Sequence, residues 1–498
     1  MVDLWKLQNG SDVRGIAAEG IEGEPINLTS EAVNVIGQAF AKWLANRSQK
    51  DISQLKIGVG HDSRITAEKM KAAFFSGLTE AGVTVYDCGL VSTPSMFMTV
   101  VFPEFSFDGS VMITASHLPF NRNGLKFFHP EGGLEKSDIT EILTLAKALT
   151  PSQQPGTGIP CNSLAAYTRS LREKIREGVQ AENFSNPLKG LHIVVDAGNG
   201  AGGFFVSQVL EPLGADTSGS QFLEPDGMFP NHIPNPENPK AMESIRQAVL
   251  ENHADLGIIF DTDVDRMSAV LPDGSQVNRD AIIAIMAAIL AKDYPGGTIV
   301  TDSVTSDRLT KFLEEDLGLR HHRFKRGYKN VINESKRLNA EGTVSPLAIE
   351  TSGHGALSEN YFLDDGAYMA VKLLIAAALA AREGKQMGSF IEKLEKGFDE
   401  REFRMKLTGE DFTAYGQKVL SQFEERAKAA GYAVAPNSYE GVRLSFHSQE
   451  VQGWLLLRLS LHDPLMPLNM EGVRPGDCEK MMDIVRELLS GFEELEVI

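Results

Sequence analysis

A chain of 498 residues exceeds what one hydrophobic core serves, and its 42% hydrophobic and 23% charged residues are those of a globular protein of three or four domains. A net charge of −19 argues against nucleic acid as a main partner, and makes any Arg or Lys inside a motif informative. Three widely spaced cysteines, Cys88, Cys161 and Cys478, argue against a disulfide framework and for a reducing cytoplasm, and neither a signal peptide nor a bilayer-spanning run is evident.

Asp12-Val13-Arg14-Gly15 precedes any strong periodic segment and reads as a surface turn. Thr29-Ser30-Glu31 then opens a helix with Val33, Ile36, Phe40 and Leu44 at helical spacing. The run 57–60 reads as a buried strand ending near Asp62 and Arg64, a structural ion pair. Thr66 is expected to cap the next helix, Gly82 to end it, and 83–86 to be a strand. Strand, helix and strand in this rhythm predict a parallel α/β domain. Val111-Met112-Ile113 reads as a strand leading into Thr114-Ala115-Ser116-His117, a small hydroxyl beside an imidazole. Pro119, Asn121 and Gly124 keep the following turn out of a helix, so Ser116 is expected to be accessible. After a helix over 137–148, the Pro/Gly-rich stretch 150–160 is the clearest linker and closes the first domain.

A helix over 164–177 and a buried strand over 191–195 lead to Asp196-Ala197-Gly198-Asn199-Gly200-Ala201-Gly202-Gly203. The glycines fit G-x-G-x-x-G, and Asp216 lies close to where a ribose-binding acid belongs, but Asp196 puts a negative charge where a pyrophosphate would approach. Tight strand-to-helix turns use glycine without any nucleotide. The strand 254–260 delivers Asp261-Thr262-Asp263-Val264-Asp265-Arg266. In an extended segment, residues two apart face the same side, so three unpartnered carboxylates would repel one another and call for a divalent cation. Arg266 and Pro272 occupy positions an EF-hand needs for glycine and glutamate, and Asp265 departs from the Asp-x-Asp-Thr/Val start of a haloacid-dehalogenase phosphatase.

Asp273-Gly274 is a turn, Asn278 or Asp280 is expected to cap a helix over 281–292, and strand and helix alternate again at 297–300, 306–317 and 320–324. Arg326-Gly327-Tyr328-Lys329 reads as a basic loop, 347–349 as a strand into Glu350-Thr351-Ser352-Gly353-His354-Gly355, and Asp364-Asp365-Gly366 as the start of an apolar helix over 367–381. From about 393 a small α+β unit is expected, with a long helix over 411–430, two strands at 442–446 and 454–461, and a last helix over 477–492. Its second strand ends in Arg458-Leu459-Ser460-Leu461-His462-Asp463-Pro464.

Thr114-Ala115-Ser116-His117-x-Pro119 with Asn123-Gly124-x-Lys126, the three-aspartate loop with Arg266, Glu350-x-Ser352-Gly353-His354 and Arg458-x-Ser460 resemble, in order, the four motifs of the phosphohexomutases. That superfamily holds phosphomannomutases, phosphoglucomutases and phosphoglucosamine mutases. Leu118 replaces the commoner Asn, and Leu461 and His462 depart from the usual fourth loop. The family carries a similar Asp-x-x-x-Gly-x-Gly turn in its second domain with no nucleotide bound there.

The resemblance implies an α/β fold of three similar mixed α/β domains plus a smaller C-terminal α+β domain around a central cleft. The spans would be 1–152 with the phosphoserine loop, 160–271 with the metal loop, 272–392 with the sugar-binding loop and 393–498 with the phosphate-binding loop. It implies interconversion of hexose 6-phosphate and hexose 1-phosphate, of mannose or glucose, through a phosphoserine at Ser116 and a hexose 1,6-bisphosphate that also serves as activator. The alternatives are a phosphoglucosamine mutase and a non-catalytic sugar-phosphate-binding protein. Mg2+ would be held by Ser116, Asp261, Asp263 and Asp265, while Arg14, Lys126 and Arg266 compensate charge and contact phosphate. His117, Lys126 and His354 are candidate proton carriers. Lys329, Glu350, Ser352 and His354 would meet the sugar, and Arg458, Ser460 and His462 its non-reacting phosphate. An imidazole at 462 beside a dianion would have its pKa raised, so substrate affinity would fall as pH climbs past that value. The expected partner is a hexose phosphate, with no nucleic acid and no membrane, for a cytoplasmic monomer or homodimer.

Overall fold

The strands Gly109–Ile113, Leu256–Phe260 and Leu347–Ile349 are buried at every residue, as strands covered on both faces must be. Each ends at one of the loops singled out above. The computed structural model describes residues 3–436, 438–460 and 463–497; His462 lies outside the described residues. Among these, the chain forms four sheets: one of eight strands, two of four and one of six. This is the expected mixture of three α/β layers followed by an α+β segment. In the first sheet Lys56–His61 runs parallel to both Thr84–Leu90 and Gly109–Ile113, while Arg122–His129 returns antiparallel beside Gly109–Ile113 and pairs with Asp12–Ile16. Arg14 therefore lies on a strand rather than in a surface turn, opposite Gly124. In the second sheet Ile193–Asp196 and Leu256–Phe260 are parallel, with Met267–Val270 antiparallel.

The contacts group the chain into two compact units. The first takes in the chain up to Asn278 together with Ser352–Gly355 and Leu363–Met387; the second takes in Arg279–Thr351, Ala356–Phe362 and the chain from Gly388 onward. No helix among the described residues is long and apolar enough to cross a membrane.

Local chemistry accounts for most boundaries. Thr29 Oγ1 accepts from the Ala32 amide (3.3 Å) at the head of Ser30–Ser48, and Gly82 closes Ala67–Ala81 at φ +89°, a conformation that costs glycine nothing. Three expectations need correction. Thr66 holds the N-cap position of Ala67–Ala81 but makes no capping bond; its hydroxyl accepts from Asn123 Nδ2 (2.9 Å) instead. Arg279, at φ 49°, occupies the N-cap of Asp280–Ala291, and the Asp280 carboxylate accepts from the Ser306 amide (3.2 Å). The stretch 150–160 is not a free linker, because Ile159–Pro160 adds to the edge of the first sheet and Gly156 abuts the Phe75 backbone so closely that a Cβ would lie 2.2 Å from its carbonyl carbon.

The last segment holds more sheet than expected. Asp399–Leu407 and Leu465–Gly472 pair antiparallel over eight positions, and the latter pairs on its other side with Gln452–Leu457 in the same sheet. The first is dense in charge and mostly solvent-facing, which suits a strand near a sheet edge, and the second contains Pro467, which reads as a breaker. Pro467 pairs opposite Arg404, and its carbonyl still accepts from the Arg458 amide (3.1 Å), so the ladder loses little.

Candidate active site

The Ser116 loop is held by a buried guanidinium. Arg64 donates to the carbonyls of Ser116, Leu118 (2.7 Å), Pro119 (2.8 Å) and Arg122 (2.9 Å), and its Nε lies 3.4 Å from Asp62. Asp62 in turn accepts from Thr114 Oγ1 (2.7 Å), which itself accepts from the Ser116 amide (2.9 Å). The Asp62–Arg64 pair is thus structural, as its sequence context implied. It fixes Ser116 at φ 51°, a left-handed backbone that costs a serine about 1–3 kcal/mol. Ser116 was expected to be accessible, but only 3% of it is exposed. Gly124 permits the closeness, since a Cβ there would lie 2.3 Å from the Val13 carbonyl oxygen.

The three aspartates follow Leu256–Phe260 on a turn rather than on an extended strand. Val264 takes φ 68°, and the Asp261 amide closes the turn on the Arg266 carbonyl (3.3 Å). Wrapping, not alternation, brings one oxygen of each carboxylate within 4.8 Å of the others. Nor are the carboxylates unpartnered. Lys126 Nζ pairs with Asp263 (3.1 Å) and with Asp265, Thr93 Oγ1 donates to Asp263, and Arg266 Nε lies 3.3 Å from Asp261. Still, Asp263 Oδ1 and Asp265 Oδ1 are buried and accept no hydrogen bond. Burial, then Asp265 and Asp263, pushes Asp261 well above the usual carboxylate range. Asp265 is held low in spite of burial, by Lys126, His354 and Arg266. Clustered hard oxygen donors with two orphaned lone-pair sites fit a divalent cation such as Mg2+.

Ser116 Oγ sits against this cluster. It donates to Asp261 Oδ2 (3.0 Å), accepts from Arg266 Nη2 (2.8 Å), and lies 3.3 Å from His117 Nδ1. Arg266 Nη2 also meets His117 Nδ1, which makes that nitrogen an acceptor and the ring neutral. Burial, with Arg266 and Arg14 beside it, takes the His117 pKa down to about 2. His354 forms an isolated bridge to Arg266, and its Nδ1 contacts Asp364 (2.5 Å) and lies 3.9 Å from Asp265. Arg14 Nη2 is held at 3.0 Å by Asp12. Two members went unrecognised as site residues: Thr93, at the first turn of Thr93–Val101, and Asp364, which reads as an ordinary helix-start acid.

The glycine turn 198–203 serves this loop. Asp196 is fully buried and accepts from Gln221 Nε2 (2.7 Å) and pairs with His232 (3.0 Å), while Asp216 is bound to Ser218. Neither is presented to a nucleotide. A Cβ on Gly200 would lie 2.6 Å from the Thr262 carbonyl oxygen and 2.8 Å from its Cα, so glycine lets the turn close on the aspartate loop. Gly200→Ala is expected to cost about 1–3 kcal/mol and to weaken divalent-cation binding, read from thermal unfolding with and without MgCl2.

A second cluster lies within the other unit. Glu440 accepts from Ser303 Oγ (2.6 Å) and the Arg326 amide (3.0 Å), and its other oxygen lies 3.5 Å from Arg458 Nη1. Glu350 accepts from the Gly327 amide (2.6 Å), where Gly327 takes φ +106° ahead of Tyr328–Ala340, and Lys329 stands in that helix's first turn. Ser460 Oγ accepts from the Asp463 amide (3.2 Å). The loop 350–355 is shared out: Glu350 belongs to the second unit, Ser352 and His354 to the first. Glu440, a lone acid in a polar stretch, carries no signal in the sequence.

Residues 6–152, 165–274 and 278–398 match the family models described as phosphoglucomutase/phosphomannomutase alpha/beta/alpha domains I, II and III. A phosphomannomutase/phosphoglucomutase of Pseudomonas syringae pv. tomato is 28% identical over 474 residues, covering 95% of this chain and 92% of that protein. A phosphoglucomutase/phosphomannomutase of Thermococcus kodakarensis is 28% identical over 494 residues, covering 98% and 99%. The crystal structure of a phosphoglucomutase/phosphomannomutase family protein from Burkholderia thailandensis superposes with a TM-score of 0.79 at 24% identity, over 100% of both chains.

Proposed function

The chain belongs to the phosphoglucomutase/phosphomannomutase family, and on that premise we propose that Ser116 is the residue that carries and exchanges the phosphoryl group. The protein is a hexose phosphate mutase, interconverting 6-phosphate and 1-phosphate isomers. The observation that supports Ser116 is the placement of its Oγ, buried between Asp261 Oδ2 and Arg266 Nη2. When a hydroxyl of the sugar phosphate attacks phospho-Ser116, the bond from phosphorus to Oγ breaks and negative charge develops on Oγ. Arg266, already donating to that atom, stabilises the charge. The product is a hexose 1,6-bisphosphate, and its other phosphate returns to Ser116 after the sugar is turned over.

Asp261, Asp263 and Asp265, with phospho-Ser116, would hold Mg2+, which when bound supplies positive charge against the transferring phosphoryl oxygens. Counting the phosphate, the carboxylates and the metal leaves roughly −3, which Arg14, Lys126 and Arg266 balance. His117, neutral and accepting at Nδ1, presents Nε2–H as a donor and so orients phosphate. Lys126 and His354 remain the side chains able to move a proton at the site.

Lys329, Glu350, Ser352 and His354 would meet the sugar, and Arg458 and Ser460 would bind the non-reacting phosphate. His462 completes that loop in sequence. The spans 1–152, 160–271, 272–392 and 393–498 are taken as four domains. Apart from the strands Ile159–Pro160 and Gln276–Val277, each holds the strands of one sheet, which supports the division. We place the protein in the cytoplasm as a monomer or homodimer.

A panel of mannose, glucose and glucosamine 1-phosphates, with MgCl2 and the matching 1,6-bisphosphate, tests the reading; turnover of none of them overturns it. Arg458→Met is expected to raise KM by about 10–100-fold with little change in kcat, because the phosphate it binds stays in place while the other is transferred. Steady-state kinetics on the preferred substrate check this.

A further inference from the structure

Two of the three cysteines, far apart in sequence, meet in the fold. Thr84–Leu90 runs parallel to Ile159–Pro160 with Tyr86 opposite Ile159 and Asp87 opposite Pro160, and the Cys161 amide donates to the Asp87 carbonyl (2.8 Å). The next step of that register sets Cys88 against Cys161. Neighbouring strands lie about 4.8 Å apart, inside the Cα spacing of about 4.4–6.8 Å that a disulfide accepts. On the other side of Thr84–Leu90 the register jumps from Val59–Asp87 to Gly60–Gly89, so Cys88 is the extra residue of a β-bulge, with Gly89 at φ 66°. Bulges re-aim side chains, and here the Cys88 and Cys161 thiols are close enough to shift each other's protonation in opposite directions. Both line a surface cavity of about 450 Å3 with Asp87, Gly89, Pro160 and Asn162.

The two thiols differ in character. Cys88 is buried, and the neighbouring Cys161 thiol, burial and Asp87 push its thiol upward. Cys161 is partly exposed and directly precedes Asn162, the N-cap of the 17-residue helix Ser163–Val179, where backbone amides favour an anion. The neighbouring Cys88 thiol holds the Cys161 thiol below its ordinary value, with help from the Ser163 amide and against burial and Glu104. An accessible nucleophilic sulfur is thus backed by a buried second one. Cys478 differs from both: it is buried, its thiol is pushed up to about 12 by burial, and it donates to the Asp399 carbonyl (3.1 Å).

We propose that Cys161 and Cys88 form a redox-modifiable dithiol that low-molecular-weight disulfides convert to an intramolecular disulfide. The Cys161 thiolate attacks one sulfur of R–S–S–R, giving a mixed disulfide and releasing R–S−. Cys88 loses its proton to that thiolate, and its sulfur attacks Cys161 Sγ, displacing the second R–S−, which takes a proton from water. Two protein thiols are oxidised and one external disulfide is reduced to two thiols; excess thiol reverses the sequence. The crosslink ties the 150–160 segment covalently to the first sheet.

Oxidised glutathione is the probe, and mass rather than turnover is the readout, so the outcome is independent of the mutase reading. Full-length reduced protein is exposed to it, denatured, alkylated with iodoacetamide and mapped by peptide mass. A linked Cys88–Cys161 peptide with alkylation confined to Cys478 is expected. Cys88→Ser should stop at one glutathione on Cys161, and Cys161→Ser should leave Cys88 unmodified. In the native reduced protein, Cys161 should alkylate at least about tenfold faster than Cys88. Alkylation of all three thiols after exposure, or glutathione on Cys88 of Cys161→Ser as fast as on Cys161 of the unaltered chain, overturns the proposal.

Discussion

Ser116→Ala is expected to lower turnover by about 10⁴-fold or more while leaving the fold intact. The hydroxyl is the one group on its loop that touches both Asp261 and Arg266, so on the proposed role its loss removes the phosphoryl acceptor and leaves no substitute. The loop does not depend on that hydroxyl. Arg64 grips four of its carbonyls, and Thr114 holds the residue-116 amide, bonds that alanine keeps. The left-handed backbone costs alanine about what it costs serine, so the melting temperature should move by no more than about 1–3 °C. Intact-protein mass spectrometry of the active protein should show one added phosphate, mapped to Ser116 and absent from the variant. An alanine variant that still turns over, with phosphate found elsewhere, would refute the assignment.

Asp263→Asn should cut activity by about 10²-fold or more and abolish the rise in melting temperature expected of the unaltered protein in MgCl2. The sign of its effect without metal is the sharper test. In a chelator, the variant should melt no lower than the unaltered chain. Removing one of three buried carboxylates relieves the crowding that raises Asp261, and Lys126 keeps Asp265 as a partner. An ordinary buried salt bridge behaves oppositely, since breaking it costs about 3–5 kcal/mol. A variant destabilised equally with and without MgCl2, or one fully active in excess chelator, would mean the aspartates serve folding alone.

The sequence carried the order of strands and the four loops because each loop follows an uninterrupted apolar run, which a covered strand requires. It carried Ser116, the aspartates and Arg266 because their chemistry is local in the chain. What it could not carry was pairing at a distance. Thr93 reaches Asp263 across 170 residues, and Glu440 reaches Ser303 across 137; neither stands in a stretch whose pattern marks it. Charge misled at Asp399–Leu407, where solvent-facing side chains on a sheet edge mimic a loop, and spacing misled at Asp261–Asp265, where a turn does what an extended strand was expected to do. Cysteine spacing likewise gave no sign that Cys88 and Cys161 come together, because they do so only through the pairing of Thr84–Leu90 with Ile159–Pro160.

The helix Gly366–Arg382 packs against Ser163–Val179, with Tyr167 Oη donating to Asp365 Oδ1 (2.7 Å), Arg382 to the Val179 carbonyl (2.8 Å), and Gly178 so close to Ile375 that a Cβ would lie 2.5 Å from it. Tyr167 and Asp365 are 198 residues apart. A ribosome adding about 5–20 residues per second therefore exposes the first helix for some 10–40 s before its partner has been made. Throughout that interval the nascent chain offers an uncovered apolar stripe, and His354 and Asp364 do not yet exist. Synthesis past Asp365 thus sets the earliest moment at which the first unit can mature, and a ribosome stalled at Asn278 would hold a chain with every strand of the second sheet and an unfinished first unit.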